Sequence, residues 1–188
     1  MTAHTNDAEA QAIARMREAL IEQIRALGKL RTPEVEAAFR TVPRHIFLPG
    51  VDLATAYARQ VVVTKRADDG TALSSAPSPD MVAAMLEQLQ VRPGQRVLEI
   101  GMATGINAAL LAELVGPAGH VVTVEIDDDL AAGARSSLAA AGYDQVEVIC
   151  ADGAAGSPAH APFDQIICTA GAWDIPAAWW QQLAKGSM

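Results

Sequence analysis

At 188 residues, with 51% hydrophobic and 19% charged positions, the chain suffices for one domain with a buried core and is too apolar to be disordered. A formal net charge of −8 and the lack of a dense Lys/Arg run speak against a nucleic-acid-binding face. No apolar run approaches the ~18 residues of a membrane helix, and "MTAHTNDAEA" has no apolar stretch of the signal-peptide kind, so a cytoplasmic protein with neither membrane nor nucleic-acid partner is expected.

Residues 1–7 are polar and read as a disordered tail. From Ala8 to Leu27 the apolar positions Ile13, Met16, Leu20, Ile24 and Leu27 recur at steps of three and four, which predicts an amphipathic helix stopped by Gly28. "TPEVEAAFRTV" opens a second helix, with Thr32 as N-cap, Pro33 at the first position and Glu34 and Glu36 in the first turn. Pro43 and Pro49 break it. Residues 54–79 read as loop around one apolar run, Val61 to Val63, with a turn at Asp68 to Gly70. A third helix follows, with Ser78 as N-cap, Pro79 first, and Met81, Val82, Met85 and Leu89 as its apolar face. Residues 8–78 thus form a helical and loop region ahead of a core over 79–188.

That core alternates. Strands are predicted at 96–100, 120–126, 146–151 and 163–170, and helices at 105–115, 128–141 and 175–184. This alternation is the signature of an α/β fold with a parallel sheet and right-handed crossovers. Its near-continuous apolar strands suit a sheet covered on both faces. Cys150 and Cys168 lie in apolar runs and read as small buried hydrophobes. With His4, His45, His120 and His160 scattered, no metal site is expected. Trp179 and Trp180 are adjacent on a helix and cannot both face one core.

The first strand runs into Gly101-x-Ala103-x-Gly105, a small-residue turn that opens a helix and lets a ligand approach backbone N–H groups. Glu99 stands two residues ahead of it, Glu125 ends the second strand, and Asp152-Gly153 follows the third. An acid at the second strand end accepts hydrogen bonds from ribose hydroxyls, and Asp152 is placed to meet an adenine edge. Glu99 would repel a pyrophosphate and accept hydrogen bonds from an amino-bearing cation. The turn is one residue shorter than the dinucleotide form. Together these features predict S-adenosylmethionine, leaving S-adenosylhomocysteine as product, over NAD. Trp173 follows the fourth strand and is expected to wall the acceptor site, since that end of an open α/β sheet faces the ligand.

With "VPRHIFLPG", "SPDMVAAMLEQLQVRPGQRVLEIG", "AAGYDQVEVICADGAAGSPAHAPFDQIICTA" and "IPAAWWQQL" in view, the chain resembles protein-L-isoaspartate O-methyltransferases over about residues 31–184. "VVVTKRADDGTALSS" and "GAWDIPAAWW" resemble a branch tied to lanthipeptide-type peptide maturation. The resemblance implies a Rossmann-like methyltransferase fold with N-terminal helices. It implies esterification of an aspartate or isoaspartate carboxyl in a peptide or protein, then closure to a succinimide with loss of methanol. The setting is peptide maturation, with general isoaspartate repair as the alternative. A non-catalytic cofactor-binding module is a further alternative. The implied cofactor residues are Glu99, Gly101, Ala103, Gly105, Glu125, Asp152 and Gly153. The family's acceptor loop carries a serine where Pro77 stands here, so Ser75 and Ser78 are the candidates for that catalytic serine, with Ser74 beside them for substrate binding. Ala103 replaces the middle glycine, a position not expected to demand positive φ, and Ile106 replaces the usual turn aromatic. The family fold runs on past "QQL" with further strands. The resemblance therefore implies a sheet cut off after its fourth strand, with an open edge at 163–170 available for self-association.

Overall fold

Two hydrophobic clusters sit on opposite faces of a four-stranded parallel sheet, and the strands assign neighbouring residues to them alternately. Val97 and Val121 belong to the larger cluster, while Leu98 and Val122 belong to the smaller one with Phe163 and Trp179. Side chains along a strand alternate faces, so a strand buried on both sides must be apolar throughout, as the sequence pattern implied. The structure, a computed structural model, describes residues 2–186. Its central sheet has the order β5-β4-β3-β6, from β3 (Arg96–Ile100), β4 (His120–Glu125), β5 (Glu147–Cys150) and β6 (Gln165–Cys168). All three pairings are parallel, with Ile100 beside Val124 and Cys168 and with Val124 beside Ile149. The helices between them are α5 (Ile106–Val115) and α6 (Asp128–Ala140), and α7 (Ala177–Gln182) follows β6.

The N-terminal region supplies much of the larger cluster. Helix α1 spans Thr2–Ala26, so it starts ahead of Ala8 and takes in residues 2–7, which were expected as a tail; Met1 lies outside the described residues. Helix α2 (Pro33–Thr41) starts where its cap predicts, with the Thr32 hydroxyl accepting the Val35 N–H at 3.5 Å. The buried Glu87 carboxylate fixes that start by accepting the backbone N–H groups of Arg31 (2.7 Å) and Thr32 (2.9 Å). Glu87 lies on α4 (Pro79–Leu89). On that helix Val82 and Leu86 are buried, but Met81 is exposed, which corrects its place on the apolar face.

Residues 54–79 are not loop. A short helix α3 (Leu53–Ala56) leads into an antiparallel hairpin of β1 (Val62–Arg66) and β2 (Ala72–Ala76), closed through the predicted Asp68–Gly70 turn. The alternation that marks a strand is faint here because most hairpin residues are partly or fully exposed. The edge beyond β6 is met at its start by the chain's last described residues. Phe163 donates to the Gln182 carbonyl, and the Ala184 N–H donates to the Phe163 carbonyl, each at 2.8 Å. Trp179 is buried and Trp180 exposed. Among the described residues no helix is long and apolar enough to cross a membrane, and no group of three or more His, Cys, Asp or Glu side chains is placed to hold a metal ion.

Candidate functional site

Gly101 and Gly105 take φ of +89° and +85°. A β-carbon on Gly101 would lie 2.5 Å from Ala170 Cβ and 2.9 Å from the Ala170 backbone nitrogen, and one on Gly105 would lie 3.2 Å from Ala134 Cβ. The turn after β3 is therefore pressed between the chain leaving β6 and helix α6, and glycine is needed for both conformation and space. Between them Ala103 also has positive φ, +49°, contrary to expectation. An alanine held there costs about 1 kcal/mol. Its N–H donates to Glu125 Oε2 at 2.9 Å, which helps hold that conformation.

Glu125 is the hub of this end of the sheet. Its other oxygen accepts from the N–H groups of Ile126 (2.9 Å) and Asp127 (3.2 Å). A carboxylate offers about four lone-pair positions, so three backbone donors pin it while acceptor capacity remains toward the cavity it lines. That cavity, about 380 Å³, is also lined by Gly101, Asp152, Gly153, Trp173 and Trp179. Asp152 caps the turn after β5 by accepting the Ala154 N–H at 2.9 Å. Trp179 Nε1 donates to the Gly153 carbonyl at 2.8 Å. Among the described residues no Lys, Arg or His side chain lines the cavity. Three carboxylates, those of Glu125, Asp152 and Asp174, with no cation beside them suit a ligand rich in hydroxyl and amino groups and disfavour a pyrophosphate, which needs a positive clamp. The residues present thus fit the adenosine end of S-adenosylmethionine.

A second cavity of about 270 Å³ adjoins the first and shares Gly101, Cys168 and Ala170 with it. Ser75, Pro77, Met81, Met85, Glu99 and Asn107 contribute to its walls. Ser75 is the one candidate serine that reaches it. The Ser78 hydroxyl donates to Asp80, and Ser74 accepts from the Thr64 hydroxyl at 3.3 Å on the hairpin. The Pro77 position therefore leaves a serine available from β2. Trp173 is fully exposed and stands at the cofactor-side cavity, so it does not wall the acceptor cavity as expected. Cys168 and Cys150 are only partly buried, which corrects their reading as core hydrophobes. The Cys150 thiol donates to Asp128 at 2.7 Å, and Cys168 borders both cavities.

Glu99 is fully buried rather than an open strand-end acid. It accepts from Asn107 Nδ2 at 2.7 Å and from the Thr123 hydroxyl at 2.6 Å. Burial pushes its carboxyl up to about 7, against the lowering by those two donors, with the Glu125 charge adding to the rise. Asn107 was missed from sequence, although it is the one polar residue in the first turn of a helix whose only other polar residue is Glu113. Thr169 was missed as well. Its hydroxyl donates to the Ile100 carbonyl at 3.0 Å and to the Gly101 carbonyl, tying the ends of β3 and β6 together between the two cavities. Lys65, on β1, bridges to Asp127 at 2.6 Å and to Asp129 at 3.1 Å, and so fastens the hairpin to the start of α6.

Comparison with known proteins gives one concordant picture. A family model described as protein-L-isoaspartate(D-aspartate) O-methyltransferase matches residues 15–188. The chain is 43% identical over 173 residues to the protein-L-isoaspartate O-methyltransferase of Methanopyrus kandleri, covering 92% of this chain and 74% of that one. It is 41% identical over 169 residues to that of Ignicoccus hospitalis, covering 90% and 77%. A solved protein-L-isoaspartate O-methyltransferase superposes with a TM-score of 0.83 at 32% identity, over 91% of this chain and 53% of that one. A putative enzyme of the same name from Plasmodium falciparum, in complex with S-adenosyl-L-homocysteine, has a TM-score of 0.77 at 17% identity and covers 89% of this chain and 79% of its own; at that identity it speaks for the fold alone.

Proposed function

The chain belongs to the protein-L-isoaspartate(D-aspartate) O-methyltransferase family of S-adenosylmethionine-dependent enzymes, and from that premise we propose that it esterifies the free carboxyl of isoaspartyl residues in damaged proteins. The observation that carries the reading is the pair of adjoining cavities. One is edged by Glu125, Asp152 and Asp174 without a cation among the described residues, the other is edged by Ser75 and Pro77, and they meet at Gly101, Cys168 and Ala170. The relatives are named for isoaspartate methylation. They favour general repair over the peptide-maturation setting suggested by the 61–75 and 171–180 segments, and they favour an enzyme over a binding module.

S-adenosylmethionine, when bound, supplies a methyl group already activated by its sulfonium charge. Glu125 and Asp152 would hold its adenosine part, and the Gly101–Gly105 turn would cradle the rest with Ala103. The acceptor carboxylate is ionised at neutral pH and needs no general base. The chain's work is then to orient that carboxylate from the Ser75–Pro77 side and to keep water out of the join between the cavities. The Ser75 hydroxyl, on the wall of that cavity, would donate to the acceptor. The succinimide that follows forms by attack of the substrate's own backbone nitrogen and asks nothing further of the protein.

The test is methyl transfer to a peptide carrying one isoaspartyl residue, against the same peptide with aspartate. The reading predicts base-labile methyl incorporation, released as methanol, into the isoaspartyl peptide well above the aspartyl one. Equal incorporation into both would overturn the repair reading, and none into either would overturn the enzyme.

A further inference from the structure

Arg44 sits in the 3-10 turn Arg44–Phe47 that follows α2, and it is 5% exposed. Buried guanidinium groups ordinarily face a carboxylate. Among the described residues Arg44 forms no ion pair. Its Nε donates to the Ala56 carbonyl at 2.8 Å, and one terminal nitrogen donates to the Pro77 carbonyl at 3.3 Å. Pro77 lines the acceptor-side cavity. Behind that cavity lies a smaller one of about 20 Å³, which Arg44 lines together with Val82 and Ile106, and the same two side chains also line the acceptor cavity. Val82 and Ile106 therefore stand between the acceptor cavity and the small cavity that Arg44, an unneutralised buried cation, lines with Arg17.

Resting on the proposed function, we propose that Arg44 is the positioning residue of the acceptor site: it fixes the Ser75–Pro77 loop through the Pro77 carbonyl and biases the cavity toward an anionic acceptor through the Val82–Ile106 wall. Charge acts strongly across a low-dielectric wall because no water screens it. Burial raises Glu99 to about 7, so near neutral pH its partial charge offsets only part of this bias. Burial likewise lowers Arg44 to about 10, which leaves it charged there. The ligand class that follows is a peptide carboxylate, held in preference to the uncharged amide of the same shape.

The experiment compares an isoaspartyl peptide with its isoasparaginyl amide as competitive inhibitors, with KM, kcat and S-adenosylhomocysteine affinity measured in parallel. For the unaltered chain the acid should bind about tenfold or more tighter than the amide. In Arg44→Met the acid-to-amide ratio should fall toward one and KM should rise about tenfold, with S-adenosylhomocysteine affinity within about twofold. Arg44→Lys keeps the charge and loses the fork, so the ratio should persist while KM rises about threefold. A ratio unchanged in Arg44→Met overturns the proposal. If Arg44→Met does not fold, Arg44→Lys decides: a retained ratio with raised KM supports the proposal, and a lost ratio or an unmoved KM overturns it. An unaltered chain that binds S-adenosylhomocysteine but methylates no carboxyl overturns the underlying function instead.

Discussion

The two cavities are built by different means. The cofactor side is assembled from strand–turn–helix units contiguous in sequence: Gly101 to Gly105 after β3, Glu125 to Asp128 after β4, and Asp152 to Ala155 after β5. The acceptor side is assembled by contacts between distant segments. Arg44 reaches Pro77 across 33 positions, Glu87 reaches Arg31 across 56, and Lys65 reaches Asp127 across 62. A site made of local turns announces itself in the sequence through glycines and acids at fixed offsets. A site made of long-range ties does not, because each tie uses an ordinary residue whose partner is unknown until the chain has folded.

Substitutions can break this contrast at either side. The largest effect is expected at Gly101→Val, where positive φ and a β-carbon contact with Ala170 coincide. It should cost about 2–5 kcal/mol in urea unfolding. A loss near zero would mean that the turn is not pressed as described.

Glu99 gives a pH test. Its folded carboxyl is raised above the ordinary value of 4.5, to about 7. The folded state therefore holds the proton more tightly than the unfolded chain, and its contribution is present at low pH and lost as pH rises through about 7. Stability should fall by about 3 kcal/mol between about pH 4.5 and pH 8 from this group. Glu99→Gln should flatten that slope, since a glutamine can accept from Asn107 and donate to Thr123. An unchanged slope would place the titration elsewhere.

These residues also mark the limits of reading from sequence. The four strands, and the places of Gly101, Gly105, Glu125 and Asp152 at their ends, were legible, because near-continuous apolar runs and strand-end turns follow directly from a parallel sheet covered on both faces. The hairpin was not, since its residues are largely exposed and lack a buried face to impose alternation. Glu99 was legible as a carboxylate but not as a buried one, because its partners Asn107 and Thr123 lie on two other elements. Ala103 was read as an indifferent small residue, although the tightness of its turn forces φ positive.

Two smaller effects sharpen the comparison. Ala103→Gly relieves that strain at the expense of a freer unfolded chain, so thermal unfolding should register between no change and a gain of about 1 kcal/mol. A loss larger than that would indicate that the alanine methyl packs on something essential. Lys65→Met removes a surface ion pair and should leave the unfolding midpoint nearly unchanged. Because Lys65 holds the hairpin that carries Ser75, KM for the peptide should still rise about two- to fivefold while S-adenosylhomocysteine affinity holds. Equal losses in both would mean that the two sides are not separately built.

The most direct test of the central claim, that local strand-end turns make a cavity for a hydroxyl- and amino-rich cofactor, is titration calorimetry of S-adenosylhomocysteine and NAD against the unaltered chain and Glu125→Ala. The account predicts that the unaltered chain binds S-adenosylhomocysteine and not NAD, and that Glu125→Ala, still folded by circular dichroism, binds it about tenfold or more weakly. Binding of NAD as tight as that of S-adenosylhomocysteine, or S-adenosylhomocysteine binding untouched by Glu125→Ala, would contradict it.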